Sequence, residues 1–157
     1  MVYKARFIDR LLPAGCLLCG ARAPRPLDAC PGCIAALPRL GPACPRCAVP
    51  VPAADTEALP CGQCLATPPP FSACHCAFRY AFPVRELLLR FKGAGDLAAG
   101  RLLAELLARE LAAGPAAGLR GWTLVPVPLT PARLAERGFN QAERIAAVLG
   151  EGLGMRV

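Results

Sequence analysis

Four scarcities bound this 157-residue chain before any motif is considered. It has no apolar run of the ~20 residues that a membrane-spanning helix needs, although 55% of its residues are hydrophobic and its mean hydropathy is +0.41. Much of that content is Ala and Leu spaced for short helices, so a membrane-spanning class is excluded. Export signals are equally thin. Lys4, Arg6 and Arg10 precede Leu11, Leu12, Pro13, Ala14, Gly15 and Cys16, but Asp9 interrupts the run. The apolar stretch is too short for a signal core, and Pro13 stands where a lipid-attachment box wants an aliphatic residue. A cytoplasmic, reducing location is therefore expected, and there cysteines act as thiolate ligands and not as disulfides. Lysine occurs only at positions 4 and 92, so arginine supplies nearly all the positive charge. Finally, residues 16 to 70 have almost no helical periodicity and are dense in Pro and Gly. Such a segment cannot build a conventional core and needs another means of holding its shape.

What is present supplies that means. All ten cysteines lie between Cys16 and Cys76. Cys16-x2-Cys19 is followed by Cys30-x2-Cys33, and Cys44-x2-Cys47 by Cys61-x2-Cys64. A CxxC turn converges two thiolates on one ion while backbone N–H groups point at the sulfurs, and a second turn completes a tetrahedron. Four turns make two closed zinc sites, which organise a fold and leave no position for a reacting water. Redox motifs sit at a helix start in a βαβ context and rarely come in fours. Sequential pairing is the simplest arrangement, and spacing alone leaves an interleaved one open. Cys74 and Cys76 flank His75, the only histidine; in a strand both sulfurs face one way, and they are read as small core hydrophobes. The thiolates also temper the formal charge of +7, because each four-thiolate zinc carries about −2 and the balance falls to about +3. Net charge alone does not argue for nucleic acid.

The expected organisation is a lead-in helix over residues 1–15, a double zinc ribbon over 16–67, a proline linker over 68–71 and an α/β unit over 72–157. In the last, Ser72 to Tyr80 alternates like a strand and puts Cys74, Cys76, Phe78 and Tyr80 on one face. A helix follows Pro83, with Leu87, Leu88 and Phe91 on one side, and ends at Gly93 and Gly95. A second runs from about Asp96 to Ala113, with Leu103, Leu106, Leu107 and Leu111 inward. Leu124 to Pro128 reads as a short strand whose prolines turn the chain into a loop. A last helix begins near Phe139, with Ala142, Ile145, Ala146 and Leu149 as its stripe, and Gly150, Gly152 and Gly154 closing it. Strand, helices, strand, loop and helix open an α/β fold with a parallel sheet.

The order CLLCG, CPGC, CPRC, CGQC, PPPF, RYAFPVRELLLRFKGAGD and VPVPLTPARLAERGFNQAERIA resembles the ComF family of competence-associated, phosphoribosyltransferase-like proteins. The resemblance implies a type I phosphoribosyltransferase-like unit after the ribbons and a role in uptake or use of external DNA. A strand ending in a proline-shaped loop before a helix start suits phosphate. Arg133 and Arg137 share a face if their turn is helical. Asn140 and Gln141 offer amide donors, Gly138 permits close backbone approach, and Lys92 in RFKGAGD is a further phosphate candidate.

The acidic pair and the Thr-Thr-Gly loop that such a transferase uses for phosphoribosyl pyrophosphate are missing: no Asp follows Asp96 and no Thr follows Thr130. The expectation is a truncated or split product whose open sheet edge a second copy or chain covers. Catalysis by itself is then lacking, and no catalytic residue is assigned. Two alternatives stand beside this reading. In one, the ribbons bind single-stranded DNA or a protein partner such as the competence machinery, through Arg22, Arg25, Arg39 and Arg46. In the other, a phosphoribosyltransferase is completed in trans.

Overall fold

A computed structural model describes residues 15–23, 27–52, 59–114, 119 and 121–157. The expected lead-in helix lies outside them. Six helices are found among the described residues: α1 (Pro31–Ala35), α2 (Gly62–Ala66), α3 (Val84–Gly93), α4 (Leu97–Ala113), α5 (Pro131–Arg137) and α6 (Gln141–Leu153). None is long and apolar enough to cross a membrane.

Helix α4 is the centre of the molecule, with α3 and α6 packed against it. Asp96 caps it, its Oδ1 accepting from the Ala99 N–H at 3.0 Å, which satisfies a donor that the first turn leaves without a helical partner. A broad face of α4 is buried, including Leu102 and Ala104 as well as the expected Leu103, Leu106 and Leu111, while Arg101 and Arg109 stay exposed. The α3–α4 contact is close because Gly100 has no side chain: a Cβ there would overlap the ring of Phe91. Phe139 packs on that ring with centroids 5.6 Å apart. On the α6 side, Gly152 comes close enough that a Cβ would touch Ala108. Gly150 and Gly152 thus lie within α6, which ends only at Gly154, where φ is +65°.

The first ribbon belongs to the same core. Cys16, Ala23, Leu27, Ala29 and Leu37 cluster with Val84, Leu87, Phe91, Ala99, Leu102, Leu103 and Leu106. A smaller cluster joins Ala108 and Leu111 of α4 to Leu149 of α6.

The expected parallel sheet is absent from the described residues, which contain only isolated bridges. Around residues 72–80 the pairing is one antiparallel bridge between Phe78 and Arg39, extended by bonds from Leu40 N–H to the Ala77 carbonyl and from Arg79 N–H to the Pro38 carbonyl. Pro38 has no N–H to continue a ladder. Around 124–128 a parallel bridge links Thr123 to Arg156, and Leu124 N–H donates to the Arg156 carbonyl at 2.8 Å. Pro126 and Pro128 then remove the next donors. Val125 and Val127 are 83% and 75% exposed, so the outer face of this segment meets nothing. The α/β architecture is corrected accordingly, to helices packed on a metal-ribbon scaffold, and the described residues form no sheet edge for a second chain to extend.

Candidate metal centres and an adjoining basic cavity

Each ribbon is assembled from two unlike halves. In the first half, a CxxC knuckle is closed by local backbone bonds. Cys16 N–H donates to the Ala21 carbonyl at 2.7 Å and Gly20 N–H to the Cys16 carbonyl at 2.8 Å. In the second ribbon the same bonds run from Cys44 N–H to Val49 at 2.9 Å and from Ala48 N–H to Cys44 at 2.9 Å. The residue after each knuckle is left-handed: Gly20 with φ +75° and Ala48 with φ +58°. The second half begins a one-turn helix, with Cys30 capping α1 and Cys61 capping α2. These helices escaped the sequence reading because five residues are too few to show a period.

The four sulfurs of Cys16, Cys19, Cys30 and Cys33 lie within 4.8 Å of one another, as do those of Cys44, Cys47, Cys61 and Cys64. Cys19 and Cys30 sulfurs are 3.7 Å apart, and so are those of Cys47 and Cys61. A tetrahedral zinc ion with Zn–S bonds of about 2.3 Å has sulfur–sulfur edges of about 3.8 Å. Both donor sets therefore fit zinc, in sequential and not interleaved pairing, and they hold two zinc ions with no position left for substrate.

Electrostatics agree with a dication at each centre. Burial pushes the Cys16 thiol up, but backbone N–H groups of Cys30, Leu18 and Cys19 outweigh it and hold the group at about 6. Cys44 is likewise held at about 6, chiefly by the backbone N–H groups of Cys47 and Cys61; the Cys61 N–H lies 3.3 Å from the Cys44 sulfur. Their neighbours move the other way. Cys33 is pushed up to about 12 by hydrogen bonding with the Cys19 and Cys30 thiols, then by burial and the charge on Cys16. Burial, followed by the Cys47, Cys61 and Cys44 thiols, raises Cys64 to about 12. Without metal, each cluster resists a full set of thiolates; a zinc ion supplies the charge that lets all four ionise.

The residues expected at a phosphate site are only partly brought together. Lys92, in the last turn of α3, and Arg137, in the last turn of α5, line one cavity of about 520 Å³ with Leu89, Gly93, Gly95, Glu136 and Phe139. Arg137 Nη1 donates to Gln141 Oε1 at 3.2 Å. Gln141 is buried, and its Nε2 has no partner. Arg133 is exposed on α5 and does not line the cavity. Gly138 ends α5 with φ +75°.

Asn140 has a structural role, its side-chain amide being engaged on both atoms. Its Oδ1 accepts from the Ala142 N–H at 2.9 Å, and its Nδ2 donates to the Val127 carbonyl at 3.1 Å and to Glu143 at 3.2 Å. It caps α6 and ties the 124–128 segment to it.

Of the ribbon arginines, Arg22 is exposed and Arg46 half-buried. Arg39 pairs with Glu110 and lies 5.9 Å over the Phe78 ring, and Arg25 lies outside the described residues. Cys74 and Cys76 are corrected too. Cys74 is half-buried and Cys76 exposed, because no neighbouring strand covers their segment, so they are not core residues.

Residues 7–78 match the double zinc ribbon domain. The chain is also homologous to proteins named DNA utilization protein YhgH. It is 35% identical to that of Salmonella typhimurium over 143 residues, which is 88% of this chain and 55% of the relative. It is 38% identical to that of Salmonella typhi over 101 residues, covering 62% and 44%, and 36% identical to that of Escherichia coli K12 over 98 residues, covering 60% and 43%. The chain thus spans about half the length of the curated relatives it matches. No solved structure matches it.

Proposed function

We propose that this chain serves DNA utilisation as a zinc-ribbon platform that presents a phosphate-binding cavity, in the manner of a ComF-like protein. The observation that carries the reading is the convergence of Lys92 and Arg137 on one cavity, in a chain homologous to DNA utilization proteins. The two zinc ions hold the scaffold and take no part in chemistry. Arg137 is oriented by Gln141 and offers a planar pair of donors, Lys92 a point charge, and Phe139 an apolar wall against a sugar or base. The unpartnered amide of Gln141 lies buried behind Arg137 and does not line the cavity. Such a cavity suits the phosphates of a nucleotide, of phosphoribosyl pyrophosphate, or of single-stranded DNA.

A phosphoribosyl transfer reaction is a further step within this proposal. It rests on the RGFNQ and RFKGAGD segments and needs the acidic pair and Thr-Thr-Gly loop that residues 1–157 do not supply, so it requires groups from additional polypeptide. The test is calorimetric titration of the zinc-loaded chain with phosphoribosyl pyrophosphate, nucleoside monophosphates and single-stranded oligonucleotides. Arg137→Ala and Lys92→Ala are each expected to weaken binding by about tenfold or more, and Arg133→Ala by little. Equal affinity in all three variants would overturn the cavity. If oligonucleotide binding instead falls only with Arg22→Ala and Arg46→Ala, and steeply with salt, the ribbon face is the binding surface.

A further inference from the structure

The two cysteines outside the zinc centres stand in an arrangement neither the ribbons nor the basic cavity uses. The Cys74 and Cys76 sulfurs are 3.8 Å apart, against 3.7 Å between ligand sulfurs in each zinc centre. Both line a second cavity of about 520 Å³, between the second ribbon and the C-terminal half of α4, together with His75, Cys44, Arg39 and Glu110. The backbone just after the pair is fixed by the Leu40–Ala77 and Arg79–Pro38 bonds, and by Arg79 Nε donating to the Leu40 carbonyl at 3.3 Å.

We propose that Cys74 and Cys76 form a third, open thiolate site that binds one thiophilic divalent cation, zinc being the first candidate. Their separation is the edge of a tetrahedron around such an ion, about 3.8 Å for zinc, so two coordination positions are set without moving the chain. The other positions open on the cavity, which His75 and Glu110 also line, although neither joins the two sulfurs in a group of three ligand atoms within 4.8 Å of one another. This is the reverse of the structural centres, whose four positions are all filled by the ribbons.

Charge separates the sites as well. Two thiolates and one dication sum to zero, so the third site needs no compensating cation, and the one arginine on the cavity wall is already paired with Glu110. A disulfide is the competing use of the pair. Residues two apart in extended chain have Cα atoms about 6.6 Å apart, at the far end of what a disulfide tolerates, and its sulfurs must close to about 2.05 Å. The metal needs no such movement.

The test counts zinc per chain by elemental analysis, after the full chain with both structural centres loaded is dialysed under reducing conditions against buffered free zinc. The wild type is expected to reach a third equivalent. Cys76→Ser, at an exposed position, and Cys74→Ser should stop at two, with helical content unchanged. Differential alkylation gives a second reading, since zinc should protect the peptide containing both thiols. A wild type that saturates at two equivalents overturns the proposal, as do a third equivalent surviving in both serine variants, alkylation indifferent to zinc, or isolation of the pair as a disulfide from reducing buffer.

Discussion

The two ribbons share one cysteine grammar and one local geometry, yet the chain uses them differently. The first contributes Cys16, Ala23, Leu27, Ala29 and Leu37 to the core of α3 and α4, and Arg90 of α3 donates to its Leu17 carbonyl at 3.1 Å while also gripping Asp96 at the start of α4. The second ribbon contributes no described residue to either hydrophobic cluster. Its buried residues, Cys44, Ala48 and Cys64, close around their own metal, and Leu59 and Leu65 are 64% and 67% exposed. Where the first ribbon meets the helices through packed side chains, the second meets α4 across a cavity. The same zinc site is thus a keystone of the helical core in one case and a self-contained unit in the other.

Removing one ligand from each centre is the strongest way to break this comparison. Cys30→Ser should release the first zinc and, with it, the helices, because loss of a structural metal costs more than about 4 kcal/mol. Cys61→Ser should release the second zinc and leave the helical circular dichroism nearly intact. Equal loss of helix in both variants would show that the ribbons are not distinct. Acid should act on both centres alike. Cys33 and Cys64, pushed up to about 12, hold their protons in the metal-free chain at any ordinary pH, so zinc uptake displaces at least one proton per centre and affinity falls at least about tenfold per pH unit of acidification. Below about 6 the Cys16 and Cys44 thiolates protonate as well, and the fall should steepen. A flat affinity between pH 8 and 6 would contradict this.

Legibility differed between the same two kinds of structure. The eight zinc ligands could be read from the sequence because spacing is itself the geometry: a CxxC turn fixes where two sulfurs go, whatever surrounds it. Helices α3, α4 and α6 were readable from apolar stripes, and Asp96 and Gly154 mark a start and a stop that the backbone uses. Among the described residues there was no sheet to be read. Alternation in Ser72–Tyr80 and in the VPVP run satisfies the period of a strand, but a period says nothing about a partner, and prolines at 38, 126 and 128 remove the donors a ladder needs. Asn140 was hard to read for a related reason, since its residue type suits a ligand and a helix cap equally, and only the positions of Val127, Ala142 and Glu143 show the cap. The docking of the first ribbon is a tertiary fact carried by Leu27 and Leu37, which look like any loop leucines in the sequence.

A smaller perturbation sharpens the comparison from the helical side. Gly100→Ala puts a methyl group into the Phe91 ring, which is buried and cannot swing away, so overpacking should cost about 1–3 kcal/mol. Since Phe91 shares a core with Leu27, Ala29 and Leu37, the strain should also be felt at the first zinc. Chelator should extract that ion faster than in the wild type, and the second ion at an unchanged rate. Acceleration at both centres, or at neither, would mean that core and ribbon do not report on one another.

The smallest effect distinguishes the two knuckles themselves. Both need a left-handed residue after the second cysteine, and a residue with a Cβ pays roughly 1–2 kcal/mol in that conformation. The first ribbon has Gly20 there, with open space around the position a Cβ would take, so Gly20→Ala should destabilise by about 1 kcal/mol through backbone conformation alone. The second ribbon carries Ala48 at φ +58°, and the reverse change, Ala48→Gly, relieves that strain but removes a buried methyl group worth about 0.8 kcal/mol. The two terms nearly cancel, so its stability should stay within about 0.5 kcal/mol of the wild type. Thermal unfolding of the zinc-loaded variants measures both. The asymmetry follows from the docking: the knuckle that shares the helical core is strain-free, and the strained one belongs to the ribbon that stands outside that core.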